Sequence, residues 1–293
     1  MKRILFCLFS FTSCFIILFF PLNARATAQI ADVLIWNGDT LKLFSNPLEL
    51  RADRDSLRVQ IFNEKTRKYS EEDIFSFSTA CNRGYRAEWI IVNDSLFLNN
   101  IHDCFNGNIT INLSNIFSNI GENQKLFASW VNGDLYVPQG ELILHVNLGY
   151  KSIFERETVL SIENGLLKNY ELFHNRILKT SNFLEINEFT HRNINWDIFP
   201  DLTDRIIQVF IGVQPNEQGQ FESIIEEYTY LVDFSMNDGD FFVTDTSNIF
   251  IQESIRIAKL IPEWDVIYQR GEIVGMSFMI MFSERNRKKY GID

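Results

Sequence analysis

The stretch that decides the fold lies near the C-terminus and begins Ser254-Ile-Arg-Ile-Ala-Lys-Leu-Ile-Pro-Glu-Trp-Asp-Val266. It continues as Gln269-Arg-Gly-Glu-Ile-Val274 and closes as Met276-Ser-Phe-Met-Ile-Met-Phe-Ser283. The first part is typical of a helix that a proline ends, the second of a glycine turn, and the third of an apolar strand. The pattern therefore predicts a helix, a turn and a closing strand in that order.

The helix is predicted from apolar spacing over about 248–260. Ile251, Ile255 and Ala258 recur at the interval of one helical face, so we expect them to face a sheet. Ser247 or Asp245 can cap the helix by accepting hydrogen bonds from its free N–H groups. Pro262 ends it, because proline lacks the N–H that the helix requires.

Two further strands precede this helix. Arg205 to Val213 is a mainly apolar run that is typical of a central strand, and Gln220 to Tyr228 follows it after a turn that contains Gly219. Residues 229–246 are rich in Asp, Phe, Gly and Ser and are interpreted as a surface excursion. The order is strand, turn, strand, helix, strand, and a closing strand over about 272–283 completes one module.

This order and its residues resemble the C-terminal domain of TonB-type energy transducers. The resemblance covers roughly residues 194–284 and rests on Gly219, on the helix residues Glu253 and Ile255, and on four motif positions: Arg256, Pro262, Trp264 and Gly271. The chain departs from that family because it has no Pro-rich spacer and carries a β-rich region in its place. In its combination of domains it looks like a secreted protein of Bacteroidetes-type bacteria.

The resemblance implies a β-β-α-β domain over 192–293 that binds an extended peptide at a sheet edge. The unpaired N–H and C=O groups of an edge strand can take up another strand. We expect the partner-binding strand to include Val274, Met276, Phe278 and Ile280. The partner would be a protein or peptide of the cell envelope, with an outer-membrane receptor among the candidates. The alternative is a strand that only closes the sheet or forms a homodimer edge.

The first half of the chain is predicted to be an antiparallel all-β domain over 29–175. Four hairpins are expected, with turns at Asn37-Gly38, Asn93-Asp94, Asn132-Gly133 and Asn164-Gly165. Such dipeptides accept the positive φ angles of tight hairpin turns. Little helix is expected here. A linker with a short helix is predicted over 176–191, so the fold class is α+β.

The N-terminus has the pattern of an export signal over residues 1–28. Lys2 and Arg3 precede an apolar run of roughly 19 residues, and two overlapping Ala-x-Ala motifs favour cleavage after Ala26 or Ala28. The protein is therefore expected in the periplasm or outside the cell. The alternative is an uncleaved anchor in the inner membrane.

The cysteine content and the net charge limit the functions that the chain can have. Cys81 and Cys104 follow the export signal, and an oxidising compartment favours a disulfide between them over two buried thiols. The chain has 27 basic and 38 acidic residues, a net charge of −11. Nucleic-acid binding is not expected, because phosphates require a basic surface.

No complete catalytic or metal-binding pattern is visible. His102-Asp103-Cys104 invites a hydrolase hypothesis with a thiolate and a nearby base, but a disulfide at Cys104 would remove the nucleophile. The other histidines lack metal-ligand spacing, and the aspartates near 233–245 are interpreted as a solvated loop. We therefore expect no catalytic residues, no metal and no cofactor.

The favoured function is non-catalytic protein binding in the periplasm, by β-strand addition to the C-terminal domain. One alternative is a TonB-type energy transducer held by an uncleaved N-terminal helix, which would be the one route to a membrane. The other alternative is the hydrolase that uses the His102 and Cys104 region.

Overall fold

A computed structural model describes residues 27–68, 78–118, 120–121, 124–179, 183–234 and 241–291. These residues form three β-sheets and four α-helices, which is an α+β fold. The predicted export signal lies outside the described residues, apart from its last two positions. Within the described residues, no helix combines the length and the apolar character needed to cross a membrane.

Nine strands of the first half form one sheet, with the order β2-β1-β3-β4-β9-β8-β7 and with β5 and β6 also paired to β4. The main-chain amide of Phe44, just after β2, donates to the carbonyl of Tyr136 in β7 at 2.8 Å, so the two ends of the sheet approach each other. The sheet is therefore curled. The strands are β1 Asp32–Trp36, β2 Asp39–Leu43, β3 Arg86–Val92, β4 Ser95–His102, β5 Thr110–Ile111, β6 Leu126–Phe127, β7 Gly133–Leu144, β8 Ile153–Glu163 and β9 Leu166–His174.

Three of the four predicted hairpins are confirmed. β1 pairs with β2, β3 with β4 and β8 with β9, all antiparallel. The turns use the predicted residues, and Asn37, Asn93 and Asn164 have positive φ. The hairpin predicted at Asn132-Gly133 is wrong. β6 pairs with β4, whereas β7 pairs with β8. The chain therefore passes at this point from a position beside β4 to a position beside β8.

The first half also contains a helix that the strand pattern did not predict. α1 spans Arg54–Lys68 and buries Leu57, Ile61 and Lys65. A lysine on the buried face interrupts the apolar period that identifies a helix in a sequence. The sheet is also not fully antiparallel, because β1 and β3 run parallel. α1 lies in the long connection between β2 and β3, and such a crossover allows a parallel pair.

The second half is built on a four-stranded antiparallel sheet with the order β13-β12-β11-β16. A three-stranded sheet, β10-β14-β15, lies beside it. The elements are β10 Arg176–Lys179, α2 Phe183–Arg192, β11 Ile206–Pro215, β12 Phe221–Asp233, β13 Phe241–Val243, α3 Ile249–Leu260, β14 Val266–Gln269, β15 Glu272–Ile273, β16 Met276–Ser283 and α4 Glu284–Tyr290.

Helix α3 lies where the sequence predicts it, with a different cap. The side chain of Asn248 accepts a hydrogen bond from the amide of Phe250 at 2.9 Å. Asp245 instead accepts from the amide of Ser247 at 2.8 Å, one turn earlier. Ile251 and Ala258 are fully buried, as expected of residues that face a sheet.

The region predicted as a surface excursion is partly strand. Its first five residues continue β12 to Asp233, and Phe241 to Val243 form β13, which pairs with them. Residues 235–240 lie outside the described residues. The basic stretch after the last strand forms helix α4.

Two separate apolar clusters form the core. One lies within the curled sheet and includes Leu34, Trp89 and Leu160. The other lies between α3 and the four-stranded sheet and includes Val209, Ile251 and Phe282.

The two halves meet at the turn between β14 and β15. Arg270 has φ of 53° and Gly271 has φ of 86°, so the turn requires the left-handed region at both positions. The Arg270 guanidinium lies 3.1 Å from the Glu157 carboxylate and 4.7 Å from the centre of the Tyr136 ring. Asn175 accepts a hydrogen bond from the amide of Arg270 at 2.9 Å. This contact joins the turn to β7 and β8.

Candidate peptide-binding edge

β16 is an edge strand of the four-stranded sheet. It pairs with β11 from Ile206 opposite Ser283 to Val213 opposite Met276. Among the described residues, no strand pairs with its other side. An edge of this kind presents unpaired backbone groups to solvent.

The hydrogen bonds of β11 show which backbone groups of β16 face away from the sheet. The Ile206 carbonyl accepts from Phe234, and the Gly212 amide donates to the Thr229 hydroxyl at 3.1 Å, so the even-numbered residues of β11 point toward β12. The odd-numbered residues therefore bond to β16, because N–H and C=O groups alternate in direction along a strand. In register, these bonds go to the even-numbered residues of β16. The outward backbone groups belong to Ser277, Met279 and Met281.

The side chains of the predicted strand residues face inward. Phe278 is nearly buried and Ile280 is completely buried in the second core cluster, and Met276 and Val274 are half-buried. The residues that a partner strand would meet are instead Ser277 and Met279, which are exposed. The apolar alternation of the sequence indicated the strand and its buried face, because the apolar residues of such a strand are those on the core side. Val274 lies before β16, between β15 and β16.

An aromatic row crosses the outer face of the same sheet. Met279 lies opposite Phe210 on β11. The Phe210 ring stacks on Tyr230 at 4.8 Å, and Tyr230 lies 4.9 Å from Phe242. Burial raises the pKa of the Tyr230 hydroxyl. The aromatic row spans β11, β12 and β13 beside Met279 of the free edge, and Phe242 at its far end is 59 % exposed.

Local contacts set the two ends of the free edge. At the C-terminal end, the Asn286 side chain donates to the Met281 carbonyl at 3.0 Å, so helix α4 occupies one outward acceptor. At the N-terminal end, β16 begins at Met276, which lies opposite Val213 of β11. The accessible edge therefore extends from Ser277 to the amide of Met281, whose carbonyl is already occupied.

Of the four motif positions, Trp264 alone has a ring contact with β16. Trp264 is buried, and its ring meets Phe278 of β16 edge-on at 5.3 Å. The Arg256 guanidinium donates to Glu253 at 2.7 Å and also to the Asn193 carbonyl. Pro262 is exposed just after α3, and Gly271 forms the turn toward the first half. Trp264 therefore supports β16 from the core, and Arg256 joins α3 to the segment that follows α2.

The region of the hydrolase hypothesis has no free thiol. Cys81 and Cys104 form a disulfide, as the sequence predicts. His102 lies 3.1 Å from the Thr110 hydroxyl and 3.8 Å from Glu88. Burial lowers the pKa of His102, and the nearby Glu88 partly opposes that shift. This histidine therefore belongs to a polar contact between β3, β4 and β5.

Two buried ion pairs lie next to the disulfide. Lys65 of α1 donates to Asp103 at 2.7 Å, and both side chains are almost completely buried. Burial raises the pKa of Asp103. The hydrogen bonds from Lys65 and from two backbone amides lower this pKa by more, so the net shift is downward. Arg83 pairs with Asp32 at 2.9 Å, and Asp32 also accepts from the Trp89 ring at 3.0 Å. The sequence did not indicate that any of these four charged side chains is buried.

No cluster of His, Cys, Asp or Glu suited to a metal ion is found in the part of the chain that the structure describes. Asp233 ends β12 and pairs with Arg205. Asp238 and Asp240 of the predicted acidic loop lie outside the described residues.

Comparisons with known proteins add no relative to this picture. No protein-family model, no curated protein and no solved structure matches the chain.

Proposed function

We propose that this protein binds an extended segment of another protein by adding it as a strand to the free edge of β16. The single observation that carries the proposal is the unpaired side of β16, where the outward backbone groups belong to Ser277, Met279 and Met281. Main-chain hydrogen bonds would supply much of the affinity, and side chains on alternate positions would supply selectivity.

The surroundings of the edge support this role. The core side of β16 is fixed by Phe278, Ile280 and Phe282, so the strand is held in place before a partner arrives. A preordered strand loses little conformational entropy on binding. On the outer face, the partner's side chains would lie beside Met279 and the aromatic row that begins at Phe210.

The order β11, β12, β13, α3, β14, β15, β16 contains the succession strand, strand, helix, strand with three short strands added, and it supports the proposal that residues 192–293 form a TonB C-terminal-like module, with residues 29–175 as a separate domain before it. The proposed location is the periplasm or the cell exterior, because a disulfide such as Cys81–Cys104 persists in an oxidising compartment. The proposed partner is a cell-envelope protein that presents an extended segment, and the protein acts without catalysis or cofactor.

The test uses proline at an outward position. Met279→Pro removes an N–H that points away from β11, so the sheet keeps its internal bonds while a partner strand loses one. Met279→Ala is the matched control, since it removes the same side chain and keeps the N–H. Peptides of random sequence displayed on phage are selected against the wild-type protein, and their affinities for all three proteins are then measured.

We expect selected peptides to bind wild type and Met279→Ala within a few-fold of each other, and to bind Met279→Pro at least about tenfold more weakly. Equal binding to all three proteins would place the peptide elsewhere and contradict the proposal. Phe278→Pro serves as a folding reference, because its N–H bonds to β11 and its loss should destabilise the sheet.

A further inference from the structure

A second free edge lies in the first half, on β9. This strand pairs with β8 from Arg156 opposite His174 to Glu163 opposite Leu166. On its other side it meets the β4 hairpin at its N-terminal end, where Ser95 lies opposite Leu166 and the Leu167 amide donates to the Asp94 carbonyl at 2.8 Å. β5 and β6 already occupy the remainder of the β4 edge, so β9 cannot continue along it.

Near its N-terminal end this edge has the charged Lys168 and an irregularity in its pairing with β8, whereas the segment from Asn169 to Leu172 pairs regularly and carries Glu171 as its only charge. Its central residues carry no proline, and most of its side chains are exposed, with Tyr170 at 59 % and Leu172 at 46 %. Tyr170 lies on the face that leads into the first core, since it is opposite the buried Leu160. The Trp36 ring meets it edge-on at 5.2 Å. An exposed apolar edge of this length is normally covered in a protein's working state.

The backbone groups on this edge are assigned from the pairing with β8. The Asn175 amide donates to the Glu155 carbonyl, so the odd-numbered residues from 169 to 175 bond to β8. The groups of Tyr170 and Leu172 therefore point outward.

We propose that a second copy of this chain covers the edge, with the two β9 strands antiparallel and a two-fold axis at Tyr170. In this register Tyr170 lies opposite Tyr170 of the second copy, which forms an aromatic cross-strand pair beside both Trp36 rings. Asn169 lies opposite Glu171, an amide opposite a carboxylate. A shift of two residues would place either Glu171 opposite Glu171 or Asn169 opposite Asn169, and the first of these opposes like charges.

The segment around Tyr170 is complementary to a second copy of itself, and this favours a second copy of the chain over an unrelated peptide as the partner of the β9 edge. A two-fold symmetric contact requires each residue to fit its counterpart on the same surface. The segment from Asn169 to Glu171 meets that requirement about Tyr170. The curled sheets of two copies would then form one continuous sheet, with Tyr170 and Leu172 removed from water.

Two measurements on the chain recovered from an exporting host test this dimer. The first is sedimentation velocity over a range of concentrations for wild type, Leu172→Pro and Leu172→Thr. The Leu172 N–H points outward, so we expect a dimer for wild type and for Leu172→Thr, and at least about a tenfold weaker dimer for Leu172→Pro. A wild-type protein that stays monomeric, or a dimer that Leu172→Pro leaves unchanged, overturns the proposal.

The second measurement does not depend on a proline variant that folds. Tyr170→Cys places two thiols on facing Cα atoms about 5.5 Å apart, within the range of a disulfide. Glu171→Cys places them on a diagonal of about 7–8 Å, which a disulfide does not readily span. On non-reducing gels we expect a reductant-sensitive dimer from Tyr170→Cys and little from Glu171→Cys. The reverse result, or equal cross-linking, contradicts the register.

Discussion

The curled sheet of the first half and the four-stranded sheet of the second half are stabilised in different ways. The first holds two ion pairs out of water, Lys65–Asp103 and Arg83–Asp32, next to its disulfide. The second is held by aromatic contacts, such as Phe199 stacked on Phe250 at 4.6 Å and Phe250 edge-on to Phe282 at 5.2 Å. Buried ions contribute only while every partner is present, whereas an apolar core tolerates change in proportion to the volume lost.

The difference between the two halves follows from the loops and helices that connect their strands. The first half contains a parallel strand pair, a 15-residue helix and long loops, and its polar network ties α1 to β4 and the segment around Asp32 to β3. The second half has short strand connections on either side of α3, so burial of one helix face against the sheet suffices. The two halves should therefore respond differently to loss of a charge, a cross-link or a proton.

The largest expected effect is loss of one buried charge. Lys65→Met leaves the Asp103 carboxylate buried without its cation and should lower the free energy of unfolding by about 3–5 kcal/mol. Hydrogen exchange should lose protection in β3 and β4, with little change in β11 and β16. The double variant Lys65→Met/Asp103→Asn removes both charges and should regain much of the loss. A single variant as stable as wild type would contradict the stabilising role of the pair.

Removal of the disulfide should have the next largest effect. Cys81→Ala/Cys104→Ala opens a loop with a sequence separation of 23 residues and should cost about 3 kcal/mol in the chain-entropy model. The measurement is urea unfolding of the double variant beside wild type with its disulfide intact. Equal midpoints would show that the adjoining ion pairs hold this region without the cross-link.

The smallest expected effect is a dependence of stability on pH. Burial lowers the pKa of folded His102 below its ordinary value of 6.5, so the unfolded chain takes up a proton more readily. This contribution to stability is complete above the unfolded pKa and decreases as the pH falls through it. Urea unfolding at about pH 7.5 and about pH 5 should show a smaller difference for His102→Gln than for wild type. An unchanged difference would assign the pH dependence to other groups.

Local sequence patterns predicted the elements whose structure depends on near neighbours. Asn37, Asn93 and Asn164 give tight turns because they accept positive φ, and the apolar spacing of Ile251 and Ala258 places α3. The same local patterns failed where the pairing of strands that are distant in sequence determines the structure. The turn at Asn132-Gly133 has the same residue types, yet β6 joins β4 and β7 joins β8.

The candidate site divides in the same way. The sequence indicated a closing strand over about 272–283, because its apolar alternation is strong, and the structure divides that segment between β15 and β16. It did not indicate which backbone groups of that strand remain unpaired, since those depend on the direction of β11 and on the position of Asn286. It also gave no sign that Lys65 is buried, because the cation is accommodated only where β4 brings Asp103 beside it.

The sequence by itself determined the α+β class, the three tight hairpins, the disulfide and the helix before the last strand, because short-range patterns and cysteine chemistry encode them. The tertiary structure decided the parallel pair of β1 and β3, the burial of two ion pairs, the free edge of β16 and the unpaired part of β9. An edge is free only when no other strand of the fold reaches it, and that depends on the whole sheet order and on no single segment.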